Sequence, residues 1–188
     1  MNKLYLILGF QENIKNSHYQ DLIKSVENYY EVVPIELGLI DLVYTFGKDK
    51  TFAEVIARAK NQIIGDISKD IILGFSIGGL VAYQLSTKIK FKKVIVCSIC
   101  SILEGDLNLY PQEEANKIFT SKQIKEISSL KYEAPLSPLV LFYGIKETKQ
   151  VIRRSKILNK KFGGAIFKIK GTGHDLSGKY LEEVKRVI

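Results

Sequence analysis

Residues 70–85 read DIILGFSIGGLVAYQL, an unbroken apolar run that passes into a serine among glycines and then into helix-forming residues. Within it, Gly74-Phe75-Ser76-Ile77-Gly78 has the spacing of a nucleophile held on a sharp strand-to-helix turn. Such a turn brings backbone and side chains close together, and glycines two before and two after the serine remove the steric obstacle. A serine hydroxyl is a poor nucleophile near neutral pH, so it needs a histidine base and a carboxylate to orient that base. The chain contains 2 histidines. His174, in IKGTGHDLSGKY, follows the last expected strand and is the expected base, whereas His18, in NSHYQ, falls in the first turn of the first helix, where a surface or capping role is expected. Glu147, three residues past the glycine that ends LVLFYG, is the preferred carboxylate, and Glu104 and Asp106 in SILEGDL are its competitors. Asp175 adjoins His174 in the chain, which makes the needed approach to that ring difficult.

These residues require a scaffold. Short, near-continuously apolar runs at 3–9, 31–37, 70–76, 92–99, 137–144 and 164–171 read as strands covered on both faces, as in a parallel sheet. Helical segments are expected between them, at 17–29, 51–64, 77–88, 121–129, 148–161 and 177–188. The alternation implies an α/β, three-layer sandwich with right-handed crossovers. In an open parallel sheet ligands bind outside the C-terminal ends of the strands, where Ser76 and His174 both fall. Residues 101–136 are too long for a simple crossover and carry two prolines; they read as a short lid or cap insertion.

Composition narrows the function classes. A chain of 188 residues is expected to form a single domain, 1–188, and its 46% hydrophobic and 26% charged residues are ordinary for a globular protein. No apolar run approaches the roughly 18 residues of a membrane span, and MNKLYLILGF has no small-residue cleavage site after it, so a cytoplasmic location is expected. Cys97 and Cys100 form a C-x-x-C, but it lies in a strand-like run with no further cysteine, so buried, inert thiols are expected rather than redox or metal chemistry. The net charge of +8 is uneven: 12 basic against 10 acidic residues up to position 100, and 16 against 10 beyond it. Lys149, Arg153, Arg154, Lys156, Lys160 and Lys161 concentrate in the second half, a patch that attracts acidic partners or forms a solvated helix face. No nucleic-acid-binding motif accompanies it.

The order Ser76, Glu147, His174, carried by GFSIGG, YGIKE and GTGH, resembles the α/β-hydrolase family, and the likeness runs from the first strand to the last helix. The chain begins at what would be that family's third strand, which implies a reduced sheet of six strands in the order 2-1-3-4-5-6, similar to small bacterial serine esterases. The resemblance implies an oxyanion site made by the backbone N–H of Ile77 and that of Phe10, with Gln11 as second choice. The family commonly has His-Gly in the loop after the first strand, where this chain has Leu8-Gly9.

The implied activity is hydrolysis of a carboxylic ester or thioester through an acyl-enzyme, without cofactor or metal. Phe75, Leu103 and Tyr110 are the expected substrate contacts. The apolar residues of 101–136 serve either to roof an acyl pocket over Ser76 or to pack on the sheet. Some family members act on acyl groups held by acidic carrier proteins, which makes an acyl carrier protein a candidate partner for the basic half. Two alternatives stand beside this reading: a non-catalytic binding or scaffold protein on the same fold, and a peptidase, acyltransferase or lactonase.

Overall fold

The computed structural model describes residues 1–9, 12–37, 51–99 and 121–188. Six strands form one sheet in the order β2-β1-β3-β4-β5-β6: β1 Asn2–Ile7, β2 Tyr30–Ile35, β3 Ile71–Phe75, β4 Lys93–Cys97, β5 Leu139–Gly144 and β6 Ala165–Ile169. Every neighbouring pair is parallel. The apolar runs therefore form the parallel strands expected of them, and the expected cover on both faces holds for the inner strands but not for the edges. All residues of β3 and β5 are buried, while the edge strands β2 and β6 are partly exposed. Pro34 lies in edge strand β2, where the missing N–H costs no ladder bond on the open side.

The helices are α1 Ser17–Val26, α2 Phe52–Asn61, α3 Ile77–Ser86, α4 Ser121–Ser128, α5 Lys149–Phe162 and α6 Gly178–Lys185. Alternate side chains of each strand point to opposite faces, and this divides the core into two layers. Tyr5, Ile7, Ile72, Val94, Val96 and Leu141 meet α2, α3 and α5 on one face. Leu4, Leu6, Leu73, Ile95, Phe142 and Ile169 meet α1 and α6 on the other. The result is the three-layer α/β sandwich. No helix among the described residues is long and apolar enough to cross a membrane.

Helix α3 differs from the others in that all ten of its residues are buried. A helix apolar on every side belongs in the centre of a core, and α3 runs behind β3 and β4 accordingly. Helix α2 begins with a capping box, Thr51 and Glu54 each bonding the other's backbone N–H. Its free N–H groups at Phe52 and Ala53 also donate to the Glu126 carboxylate on α4, at 2.7 and 2.9 Å. This anion at a helix N-terminus ties the segment after residue 120 to the sandwich. Leu130 and Tyr132 pack against the same core layer, on the α2/α3 face of the sheet. Residues 101–120 lie outside the described residues.

All six strands begin and end within two residues of their expected positions; β1 ends at Ile7, without Leu8 and Gly9. There the chain leaves the sheet to pass over the start of α3, where the Ile7 and Leu8 carbonyls press against the Cα of Gly78.

Candidate active site

Ser76 follows β3 directly and stands at the N-cap of α3 with φ 55° and ψ −116°. This conformation is disfavoured for any side chain larger than hydrogen and costs of order 1–3 kcal/mol, so the surroundings must impose it. They do so through close backbone packing. A Cβ on Gly74 would lie 2.1 Å from the Gly78 carbonyl oxygen, and one on Gly78 would lie 2.3 Å from the Ile7 carbonyl oxygen. Only glycine lets β1, β3 and α3 approach this closely. The Ser76 N–H donates to the Cys97 carbonyl at 2.9 Å, which joins the turn to the end of β4. Ile77, the first residue of α3, places its backbone N–H at the positive end of a fully buried helix.

Glu147 comes from the turn after β5. Its backbone N–H closes that turn on the Gly144 carbonyl at 3.1 Å, and its side chain is 0% exposed. Its Oε1 is buried without a hydrogen-bond partner among the described residues, so the structure engages the carboxylate through Oε2. The loop carrying His174 is stitched to this turn by two backbone bonds, Ile145 N–H to Ile169 O at 3.0 Å and Lys146 N–H to Thr172 O at 2.9 Å. His174 Nδ1 lies 2.9 Å from Glu147 Oε2, and its Nε2 lies 2.9 Å from Ser76 Oγ. An ionised carboxylate only accepts, so the proton of the neutral ring belongs on Nδ1, and Nε2 is left to accept from the serine hydroxyl.

The structure thus brings together Ser76, Glu147 and His174 from three separate strand ends. Phe75 is 3% exposed; its ring centroid sits 5.0 Å from that of His174, at a tilt of 41°, and Gly9 packs against the same ring. Asp175 does not approach the His174 ring but accepts from the Ser177 hydroxyl at 2.6 Å. Phe10, Gln11, Leu103, Glu104, Asp106 and Tyr110 lie outside the described residues, as does Cys100. Cys97 is a buried strand residue whose thiol is pushed up by burial, and it contributes its carbonyl to the Ser76 turn.

Two arrangements at this sheet edge were not read from the sequence. Gly9 and Glu12 are tied to the start of α1: the Gly9 N–H donates to the Tyr19 hydroxyl at 3.4 Å, and Glu12 Oε2 meets His18 Nε2 at 3.2 Å. The Glu12 N–H also donates back to the Gly9 carbonyl at 3.4 Å. Burial, with the Glu12 carboxylate alongside, holds the Tyr19 hydroxyl well above its ordinary pKa, so it stays a neutral donor and acceptor. His18 therefore neither caps α1 nor sits free on the surface. The second arrangement is Ser98, which has φ 47°, and its hydroxyl is 2.9 Å from that of Tyr180, both buried. A serine with positive φ just past β4 could have been suspected only from an adjacent glycine, and none is present.

No protein-family model matches the sequence, and no curated protein matches it. Solved structures do resemble it. Est1E from Butyrivibrio proteoclasticus superposes with a TM-score of 0.73 at 13% identity, over 99% of this chain and 85% of that one. The α/β hydrolase domain-containing protein 10 from mouse gives 0.73 at 14% identity, over 98% and 87%. Carboxylesterase CesB from Bacillus subtilis gives 0.63 at 14% identity, over 99% and 81%. At such identities the likeness is one of fold, and together with the six-stranded parallel sheet in the order 2-1-3-4-5-6 it establishes that this chain has the α/β-hydrolase fold.

Proposed function

We propose that the protein is a serine hydrolase that cleaves a carboxylic ester or thioester through an acyl-enzyme. The observation that carries this reading is the position of His174, 2.9 Å from both the Ser76 hydroxyl and the buried Glu147 carboxylate. Resemblance to a carboxylesterase of the same fold adds support.

In this reading His174 Nε2 takes the Ser76 proton as Oγ attacks the carbonyl carbon. Glu147 stabilises the imidazolium that forms and keeps the ring in register. The negative charge that develops on the carbonyl oxygen is held by the Ile77 N–H at the start of α3 and by the N–H of Phe10, with Gln11 as the alternative donor. The clamp formed by Tyr19, Glu12 and His18 holds Gly9 and Glu12, which flank those two residues in the chain. Collapse of the tetrahedral intermediate expels the alkoxide or thiolate, which leaves with the proton from His174. Water then attacks the acyl-serine with His174 again as base, releasing the acid and restoring Ser76.

Incubation with a fluorophosphonate probe followed by mass spectrometry provides the test. Covalent labelling at Ser76, lost in Ser76→Ala, with turnover of short p-nitrophenyl esters, is the expected result. Absence of labelling in folded protein would favour a binding or scaffold role. A panel of ester, thioester, lactone and peptide substrates then separates the reaction types.

A further inference from the structure

Phe75 is the last residue of β3, next in the chain to Ser76, and its side chain belongs to the core layer beneath α1 and α6. Its ring touches two parts of the site. The imidazole of His174 lies 5.0 Å away between ring centroids, at a tilt of 41°. A Cβ on Gly9 would stand 2.9 Å from Phe75 Cδ1 and 3.4 Å from Cε1, so the Gly9 backbone abuts the same ring. The two hydrogen bonds of His174 do not by themselves fix its plane. Glu147 Oε2 at Nδ1 and Ser76 Oγ at Nε2, each at 2.9 Å, occupy the two ends of a line through the imidazole. Rotation about that line keeps both distances but turns the Nε2 lone pair away from the serine, and a hydrogen bond weakens as its angle worsens. Only a contact off the line can oppose the rotation. Phe75 supplies one, because both ends of the line are already taken.

We infer that Phe75 is a positioning residue for the base: its ring sets the plane of the His174 imidazole and makes that plane depend on where the Gly9 backbone lies. The inference rests on the triad reading proposed above. Phe75 was expected to touch substrate, but at 3% exposure its ring presents almost no surface to a ligand. Its contacts are with the base and with Gly9, which itself donates to the Tyr19 hydroxyl. The His174 side chain is 43% exposed, so Phe75 limits its swing where protein packs against it and leaves the solvent side open. Gly9 precedes Phe10 in the chain, and a shift of its backbone moves the ring on which the base rests. Well-placed groups matter at this range, since a misplacement of about 1 Å can cost on the order of a hundredfold in rate.

The test uses Phe75→Leu in the full chain with two separate readouts: turnover of a p-nitrophenyl ester, and the NMR signal of the His174 Nδ1 proton, assigned by its loss in His174→Asn. Phe75→Leu is expected to lower kcat about tenfold or more with KM within about twofold, because a tilted base costs rate rather than binding. Its Nδ1 signal is expected to broaden and to exchange faster with water. Gly9→Ala should also lower kcat, by driving the ring against the imidazole. Because both act through one ring, Gly9→Ala/Phe75→Leu should lose less than the product of the two single losses. Ile71→Val, at the opposite end of β3 in the same core layer, should lower Tm and leave kcat unchanged. The proposal is overturned if folded Phe75→Leu keeps its kcat or its Nδ1 signal, or if it raises KM alone, as loss of a substrate contact would. It is overturned equally if Ile71→Val lowers kcat as much, or if the Gly9 and Phe75 losses simply multiply. Should the unaltered chain turn over no ester and take up no fluorophosphonate, the hydrolase reading fails, and the Nδ1 signal decides the role of Phe75 on its own: broadening upholds it and an unchanged signal overturns it.

Discussion

The two sides of the candidate site are held by different physics. Ser76 is fixed by sterics: its backbone sits at φ 55°, wedged where β1, β3 and α3 approach to distances that only glycine permits. His174 is fixed by polar contacts: its side chain is 43% exposed, and a buried carboxylate, a neighbouring ring and two loop-to-turn backbone bonds hold it. The serine side is over-determined and cannot adjust without parting the sheet from its central helix. The histidine side has room to move. A base that takes and returns a proton within one cycle benefits from that room, while an attacking atom benefits from having none.

Variants on the two sides should separate these modes of support. Ser76→Ala removes the attacking atom and should lower ester turnover by about 10⁴-fold or more, with the circular dichroism spectrum unchanged. Glu147→Gln keeps the shape of the side chain but removes the charge that sets the His174 tautomer. Its expected cost is about 10²–10⁴-fold in kcat with little change in KM, measured under saturating ester. Gly78→Ala tests the steric side: the new methyl meets the Ile7 carbonyl, and strain of about 1–3 kcal/mol should lower Tm by several degrees and reduce turnover together. If Gly78→Ala kept both Tm and activity, the claim that Ser76 is sterically wedged would fail. Tyr19→Phe should have the smallest effect, about 2–10-fold in kcat from the loss of one long hydrogen bond to Gly9, with Tm nearly unchanged. An unaltered kcat there would show that the Tyr19 contact with Gly9 does not support the site.

How far the sequence could be read depended on the range of the interactions involved. The strands were legible because burial on both faces demands a continuous apolar run, as in IILGF and LVLFYG. Helix α2 was legible from its amphipathic pattern, and the capping box TFAE marks its start. The elbow was legible because its requirement is local: two glycines, a serine and the order strand then helix. Glu147 and His174 were legible as strand-end residues, but Glu104 and Asp106 also follow a strand end, and chain position does not separate them from Glu147. The structure places Glu147 against His174, while the two competitors lie outside the described residues. The Glu12, His18 and Tyr19 clamp was not legible, because those residue types at a loop and a helix start have many uses. Only the fold of β1 against α1 sets them around Gly9. The Ser98–Tyr180 pair spans 82 positions and leaves no local trace.

Composition and periodicity alone thus determined an α/β chain of alternating strands and helices, with a serine in a glycine-flanked turn and a histidine at a later strand end. They also determined a basic second half, because net charge is independent of folding. Tertiary structure decided the distances, since 2.9 Å contacts between residues 27 and 98 positions apart depend on strand order and register. It decided that the cations of α5 divide into a buried Arg154 and an exposed row, because helix phase against the sheet sorts what composition only counts. Local sequence sets which conformations a segment accepts; which side chains meet is set by packing, where segments remote in the chain compete for the same space.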